Sequence, residues 1–363
     1  MAAAMGWEIL WPLILGFALS GVVQAVVSKR EVSKLLPDSS PKSLTLALAL
    51  GAASSSCSYA AVALTRSIIR KGADFIAGMA FELASTNLVV ELGIILVVLM
   101  GWQFTLAEFL GGPLMVAIMA VLFRLLVSEK LIQAARQQAE KGLAGKMEGH
   151  AEMDMAVTEG PLLRRLLSGK GRTAISHYFV MDWVSIWKDI ALGLLLAGVM
   201  AAFVPTDAWS SLFLQTHPSL AKLWGPLIGP VVAVLSFVCS VGNVPLAAVL
   251  WNGGISFGGV VSFLFADLIV LPILNIYRRY YGWKMMAAIT GIFYASMVLA
   301  ALAVEFGFQA LGIVPQHRRA QVVEAAFTWN YTTFLNIAFL LLAASLIVRF
   351  LKTGGPNMLR EMA

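Results

Sequence analysis

The sequence predicts an all-α, polytopic membrane protein of about nine hydrophobic segments, built as two inverted-topology repeats that each carry a re-entrant or broken-helix hairpin. Three observations predict it: an apolar composition, apolar runs long enough to cross a bilayer, and an internal repeat whose equivalent loops carry opposite charge bias. Of 363 residues, 59% are hydrophobic and 13% charged, and the mean hydropathy is +0.82. Soluble domains run near about 45–50% apolar, so water is not the main solvent of this chain. The net charge of +6 and pI near 9.4 come from Lys and Arg in the loops between apolar segments. That distribution is a topological signal and not a nucleic-acid surface.

A helix needs about 20 apolar residues to cross a hydrocarbon core about 30 Å thick. Nine segments approach or exceed that length: 7–27, 43–71, 74–102, 104–127, 186–204, 223–252, 256–276, 283–306 and 331–351. The first has no Lys or Arg ahead of it and is longer than a signal-peptide core, so it reads as a span. Residues 1–127 then form a first membrane repeat and 128–185 a solvated cytoplasmic linker, helical over Leu131–Lys141. Residues 186–306 form a second membrane repeat, and 307–363 an extracytoplasmic loop with a C-terminal transmembrane helix.

The repeat is read directly from the residues. Leu15-Gly16-Phe17-Ala18-Leu19-Ser20-Gly21-Val22 is echoed by Leu192-Gly193-Leu194-Leu195-Leu196-Ala197-Gly198-Val199, and seven of thirteen positions agree through Val27 and Val204. Cys57-Ser58 aligns with Cys239-Ser240, Gly72 with Gly254, Phe75 with Phe257, Phe81 with Phe263, and Gly101-Trp102 with Gly282-Trp283. Lys29, Arg30, Lys34 and Lys42 follow the first span, whereas the equivalent 205–222 holds Asp207 and Lys222. Arg66, Arg70 and Lys71 face an uncharged Trp251-Asn252-Gly253-Gly254. One loop later the bias reverses, with Arg278, Arg279 and Lys284 in the second copy. By the positive-inside rule the copies face opposite ways, as in many secondary transporters. The N-terminus is then outside and the C-terminus cytoplasmic, in the inner membrane; Arg318 and Arg319, placed outside, run against this scheme.

Segments 43–71 and 223–252 have flanks of matching character on both sides, so each enters and leaves on one side as a hairpin. The tips fall near Ser54-Ser55-Ser56-Cys57-Ser58 and Ser236-Phe237-Val238-Cys239-Ser240-Val241-Gly242-Asn243. Irregular backbone at membrane depth is tolerated where it lines a cavity or is buried in protein. The alternative is an ordinary span with Ser and Cys packed against a neighbour. Gly16, Gly21, Gly193 and Gly198 read as points of close helix approach.

Cys57-Ser58-Tyr59-Ala60-Ala61-Val62-Ala63 and Cys239-Ser240-Val241-Gly242-Asn243-Val244-Pro245, each followed by Gly72 or Gly254, resemble the Cys-Ser-Cys-Gly-x-x-Pro signature of the ArsP/YraQ-like permeases. The resemblance runs from about residue 9 to 305. The signature is degenerate: its second Cys is Tyr59 or Val241 here, and the first copy has Ala60 and Ala63 for Gly and Pro. It implies a permease, and by analogy with the family's ArsP members it implies export of trivalent organoarsenicals.

The residues give thiols a role of their own. The two cysteines, Cys57 and Cys239, occupy the same place in both copies, and inversion brings such tips to the midplane. A trivalent arsenic bearing one organic group has two bonds open to sulfur, and soft centres prefer thiolate. The other readings are that they only pack, as buried Cys often does, or that they form a disulfide. The substrate-binding set is therefore Cys57, Ser58, Cys239, Ser240 and Asn243, with Glu82 and Asp267 as proton-coupling candidates, because carboxylates inside apolar segments are expensive and functional by default. Glu91, Glu108 and Arg124 also lie within or near spans, the last two toward the ends.

No cofactor and no metal is expected: His150, His177, His217 and His317 are scattered, and no phosphate-binding glycine loop occurs. The expected partners are the lipid bilayer and a small-molecule substrate, without nucleic acid; a homo-oligomer is left open. Two competing functions stand beside organoarsenical export. One is a permease for an unrelated small solute with structural cysteines. The other is an intramembrane thiol-dependent enzyme, against which stand the lack of a His near either Cys and of any Cys-x-x-Cys.

Overall fold

The computed structural model describes residues 34–54, 58–140, 155–157, 161–203, 212–214, 217–236, 240–318, 320 and 331–361, with isolated positions between 7 and 25. Among these the regular elements are helices. They are α1 (Pro41–Ser54), α2 (Ser58–Arg70), α3 (Phe75–Asn87), α4 (Val90–Leu99), α5 (Trp102–Leu126), α6 (Glu129–Glu140), α7 (Leu162–Leu167) and α8 (Gly169–Phe203). There follow α9 (Pro218–Ser236), α10 (Ser240–Asn252), α11 (Phe257–Phe265), a 3₁₀ turn (Ala266–Leu268), α12 (Leu271–Tyr281), α13 (Trp283–Ala310), α14 (Tyr331–Lys352) and α15 (Gly355–Glu361).

Five of the described helical stretches are long and apolar enough to cross a bilayer: Phe75–Leu99, Trp102–Leu126, Ser219–Ser236, Trp283–Ala310 and Thr333–Lys352. A sixth is the pair Phe257–Leu268 and Leu271–Tyr281, bent by 43°. Of the other segments read from sequence, 7–27 is described only at isolated helical positions and 186–204 continues α8. Segment 43–71 divides into α1 and α2, and 223–252 into α9 and α10. α1 stops at Ser54 and α2 starts at Ser58; α9 stops at Ser236 and α10 starts at Ser240. The residues between, with Cys57 and Cys239, lie outside the described residues.

The sequence repeat reappears as repeated backbone geometry. After α2, Gly72 takes φ of 106° and its N–H donates to Ile69 O, while Ala73 N–H donates to Ile68 O. After α10, Gly254 takes φ of 103°, its N–H donates to Trp251 O, and Ile255 N–H donates to Leu250 O. Both positions need the left-handed backbone that glycine adopts without a Cβ clash, which is how such helix ends satisfy their last carbonyls. Two residues on, Asp74 accepts from Ile76 and Ala77 N–H to cap α3, and Ser256 accepts from Gly259 N–H to cap α11. Each helix then breaks, at 88–89 and 269–270, and each copy turns through a second glycine, Gly101 or Gly282, into a long helix that starts on tryptophan. Trp102 is 55% exposed and Trp283 66%, as befits the amphipathic ring that anchors a helix end at a membrane surface.

The chain divides into two compact units. The first holds Met1–Ile9, Leu92–Leu131 and Lys188–Phe327; the second holds Leu10–Glu91, Ile132–Trp187 and Thr328–Ala363. Within the first unit α5 packs along α13, its counterpart in the repeat. Phe104 sits 5.2 Å from Trp251 and 4.8 Å from Phe257, centroid to centroid, and a Cβ on Gly111 would lie 2.9 Å from the Phe265 ring. α9 packs on α11 in the same unit. Within the second unit α1 packs on α3 in the equivalent manner, and α2 closes another face of α3. Lipid tails are as apolar as leucine, so this association rests on close packing and not on the hydrophobic effect.

The stretch expected as a solvated linker has its own docking. α6 runs Glu129–Glu140, matching the helix read at Leu131–Lys141. Its Ala139 carbonyl accepts from the buried Arg66 Nε at 3.0 Å, and Arg136 approaches Asp74 at 3.8 Å. At the start of α8, Ser176 donates to Leu346 O and His177 Nε2 lies 2.8 Å from Thr353 Oγ1, while Arg349 donates to Gly169 O and Thr173 Oγ1. These bonds fix α8 to the end of α14.

Candidate transport site

In the second unit every residue of α3 is buried. A helix buried on all sides cannot send its polar groups to water, so they must bond locally or face an internal cavity. Ser85 Oγ donates to Glu82 O at 2.8 Å, Thr86 Oγ1 to Leu83 O at 3.3 Å, and Asn87 Nδ2 to Leu83 O and Thr86 Oγ1, each at 3.1 Å. Glu82 itself is fully buried, among α1, α2 and the rest of α3. Ser58 opens α2 and is 1% exposed, and Thr65, a further two turns along, is fully buried with no hydrogen-bond partner for its hydroxyl among the described residues. Ser54, at the end of α1, bonds back to Gly51 O at 3.0 Å. Glu82 and Ser58 thus belong to one packed group of helices.

In the first unit the corresponding helix pair carries Asn243 and Asp267. Asn243 lies one turn into α10 and is fully buried, and neither its amide oxygen nor its amide nitrogen has a hydrogen-bond partner among the described residues. Buried amides are ordinarily hydrogen-bonded, so Asn243 stands out as a candidate contact residue. Asp267, also fully buried, sits in the 3₁₀ turn where the membrane helix breaks, and α10 packs against that turn. Ser240 begins α10, and its side chain lies outside the described residues.

The structure adds Glu108. Read from sequence as near the end of a span, it is fully buried, and neither carboxylate oxygen has a hydrogen-bond partner among the described residues. Asp267 is its electrostatic neighbour, and one turn along α5 Gly111 meets the Phe265 ring just ahead of Asp267. Two like charges in an apolar interior repel, so ionising both carboxylates together is costly. Six residues separate Glu108 from Trp102, or about 9 Å of helix rise, and that depth was the sequence signal for it.

Helices long and apolar enough to cross a bilayer, with carboxylates and an amide buried among them, mark a membrane protein with a candidate functional interior. The chain belongs to the ArsP_1 family, described as predicted permeases, whose model matches residues 1–306. A protein of Mycobacterium tuberculosis (strain ATCC 25618 / H37Rv) named "Putative permease Rv2963" is 62% identical over 338 residues, which cover 93% of this chain and 83% of the relative. No solved structure matches the chain.

Proposed function

We propose that this permease exports a small thiophilic solute, trivalent organoarsenicals foremost, by alternating access of two inverted repeats coupled to proton exchange. The observation that carries the reading is the repeated helix stop and restart, at Ser54/Ser58 and Ser236/Ser240, each beside a helix that bears a fully buried carboxylate or amide. Broken helices at equivalent points of two repeats are the usual address of a transporter's midplane site. Cys57 and Cys239 fall inside those two stops. Two thiols displace two hydroxides from a monoorganoarsenic(III) centre as water, forming two As–S bonds with no change of oxidation state. Ser58, Ser240 and Asn243 supply polar contacts beside them. Proton exchange is assigned to Asp267 with Glu108, and Glu82 is the equivalent candidate in the other helix group. The protein is taken to work in the inner membrane with its C-terminus cytoplasmic.

Inverted proteoliposomes presented externally with a panel of trivalent and pentavalent organoarsenicals test this, with and without an imposed pH gradient. Gradient-dependent uptake of the trivalent compounds is expected, with loss in Cys57→Ser and Cys239→Ser. Full uptake by both variants would overturn the thiol site and leave a permease for an unrelated solute with structural cysteines. Recovery of a chemically altered compound would instead turn the reading toward an enzyme.

A further inference from the structure

A cavity of about 510 Å³ lies in the first unit where α10 ends and the segment after α13 folds back, lined in part by Lys222, Trp251, Ser256, Phe257, Glu305 and Arg318. Its size is that of a small-molecule pocket. The transport reading uses none of these residues.

Its charges are fixed by the fold. Arg318 Nη1 donates to Trp251 O at 2.9 Å and to Ile255 O at 2.8 Å, and its guanidinium carbon lies 4.6 Å from the Trp251 ring centroid. Those bonds and the cation–π contact hold the guanidinium plane in one place. Asn252 clamps the same segment by accepting from Ala320 N–H and donating to Ala320 O. Glu305, 3% exposed, accepts from the Gly258 N–H at the start of α11, with the Ser256 hydroxyl on the same carboxylate. Its charge is thereby committed to the helix terminus. Among the described residues neither Lys222 nor Arg318 makes an ion pair, although both feel Glu305 electrostatically. Two cations against one engaged carboxylate leave the cavity one positive charge in excess. Its walls include the Trp251 and Phe257 rings.

We propose that this cavity binds a small organic anion, with its carboxylate or phosphonate between Lys222 and Arg318 and its apolar body against Trp251 and Phe257. An arginine held rigidly beside a free lysine suits an oxyanion. The aromatic walls select an anion that carries an apolar body over inorganic anions. The site is independent of the thiol reading and stands whether or not arsenicals are transported.

The test is calorimetric titration of the purified full chain, in nanodiscs of zwitterionic lipid, with benzoate, phenylphosphonate and the neutral benzyl alcohol. Saturable binding of the two anions and none of benzyl alcohol is expected. Lys222→Gln is expected to weaken anion binding by about tenfold with an unchanged melting temperature, because Lys222 makes no hydrogen bond that the fold relies on. Arg318→Lys keeps the charge and is expected to retain part of the affinity. Unsaturable anion binding, equal binding by Lys222→Gln, or equal binding of benzyl alcohol would overturn the proposal. Repeating the titration in nanodiscs rich in anionic lipid separates the sources of the oxyanion: unchanged affinity supports a soluble solute, and abolished binding assigns the cavity to lipid phosphate and overturns it.

Discussion

Glu108 and His177 are single side chains whose surroundings set what they do. Among the described residues no donor bonds the Glu108 carboxylate, and Asp267 is its electrostatic neighbour; Glu108→Gln removes a titratable group while keeping its shape. Flux driven by a pH gradient is expected to fall by about tenfold or more, with solute exchange at equal pH largely retained; gradient-driven flux at the wild-type rate would refute the coupling role. His177 is different. It lies outside the hydrophobic segments read from sequence, and burial lowers its pKa from the ordinary 6.5. A base whose folded value is lowered takes up fewer protons folded than unfolded. Its stabilising share is therefore complete above about pH 6.5 and is lost as pH falls through the lowered value. Thermal melts in detergent between pH 7.5 and 5 should show an acid-side loss that His177→Gln flattens; parallel curves for the two proteins would exclude His177 as the cause. Polar and charged residues inside apolar runs are readable in the sequence, and Asp267, Glu82 and Asn243 are all buried. Glu108 lies toward the start of α5, as read from the sequence, but its burial depends on packing neighbours that the fold brings to it. The cavity's Arg318 stood out in sequence only as a charge on the wrong side, since its carbonyl and ring partners are brought to it by the fold.

At the scale of helices, contact is governed by small residues. A Cβ on Gly225 would lie 2.1 Å from Ser256 Oγ, and one on Gly229 2.5 Å from Gly259 O and 2.3 Å from Ser262 Oγ. In the equivalent pair a Cβ on Gly51 would lie 2.5 Å from Phe81 O. Backbone cannot retreat as a side chain can, so Gly51→Val and Gly229→Val are expected to destabilise by about 1–3 kcal/mol or more through overpacking. Gly291→Ala in α13, where nothing lies within 4 Å of the added carbon, should be neutral or mildly stabilising by helix propensity. Melting temperatures of the three variants check this, and similar values for Gly291→Ala and Gly229→Val would contradict it. Gly21, read from sequence as a close approach, is one: its Cβ would sit 2.9 Å from Ile175 O. Gly225 and Gly229 carry the four-residue spacing typical of membrane helix contacts. The hairpin tips expected from the sequence fall near Ser54 and Ser236, the last residues of α1 and α9, whereas the 43° bend before Leu271 has no residue that announces it beyond Pro272.

For the molecule as a whole, repeats and packing units are different divisions. The repeat boundary lies in the polar stretch after residue 127, but α5 of the first copy belongs to the same unit as α9 to α13 of the second. Aligned residue blocks reveal the sequence repeat because they are local; which helix packs on which is set by shape and is absent from one-dimensional pattern. The chain crosses between units at 9/10, 91/92, 131/132, 187/188 and 327/328. This ordering bears on biogenesis. At about 5–20 residues per second, some 184 residues and roughly 10–40 s separate the release of Leu126 from that of Ala310, so α5 waits in lipid with Glu108 unshielded until α13 arrives. Nascent chains halted before α13 should be recognised as orphaned and cleared quickly in pulse-chase labelling, while chains halted after residue 327 survive, and equal half-lives would show that α5 is sheltered by something other than its counterpart.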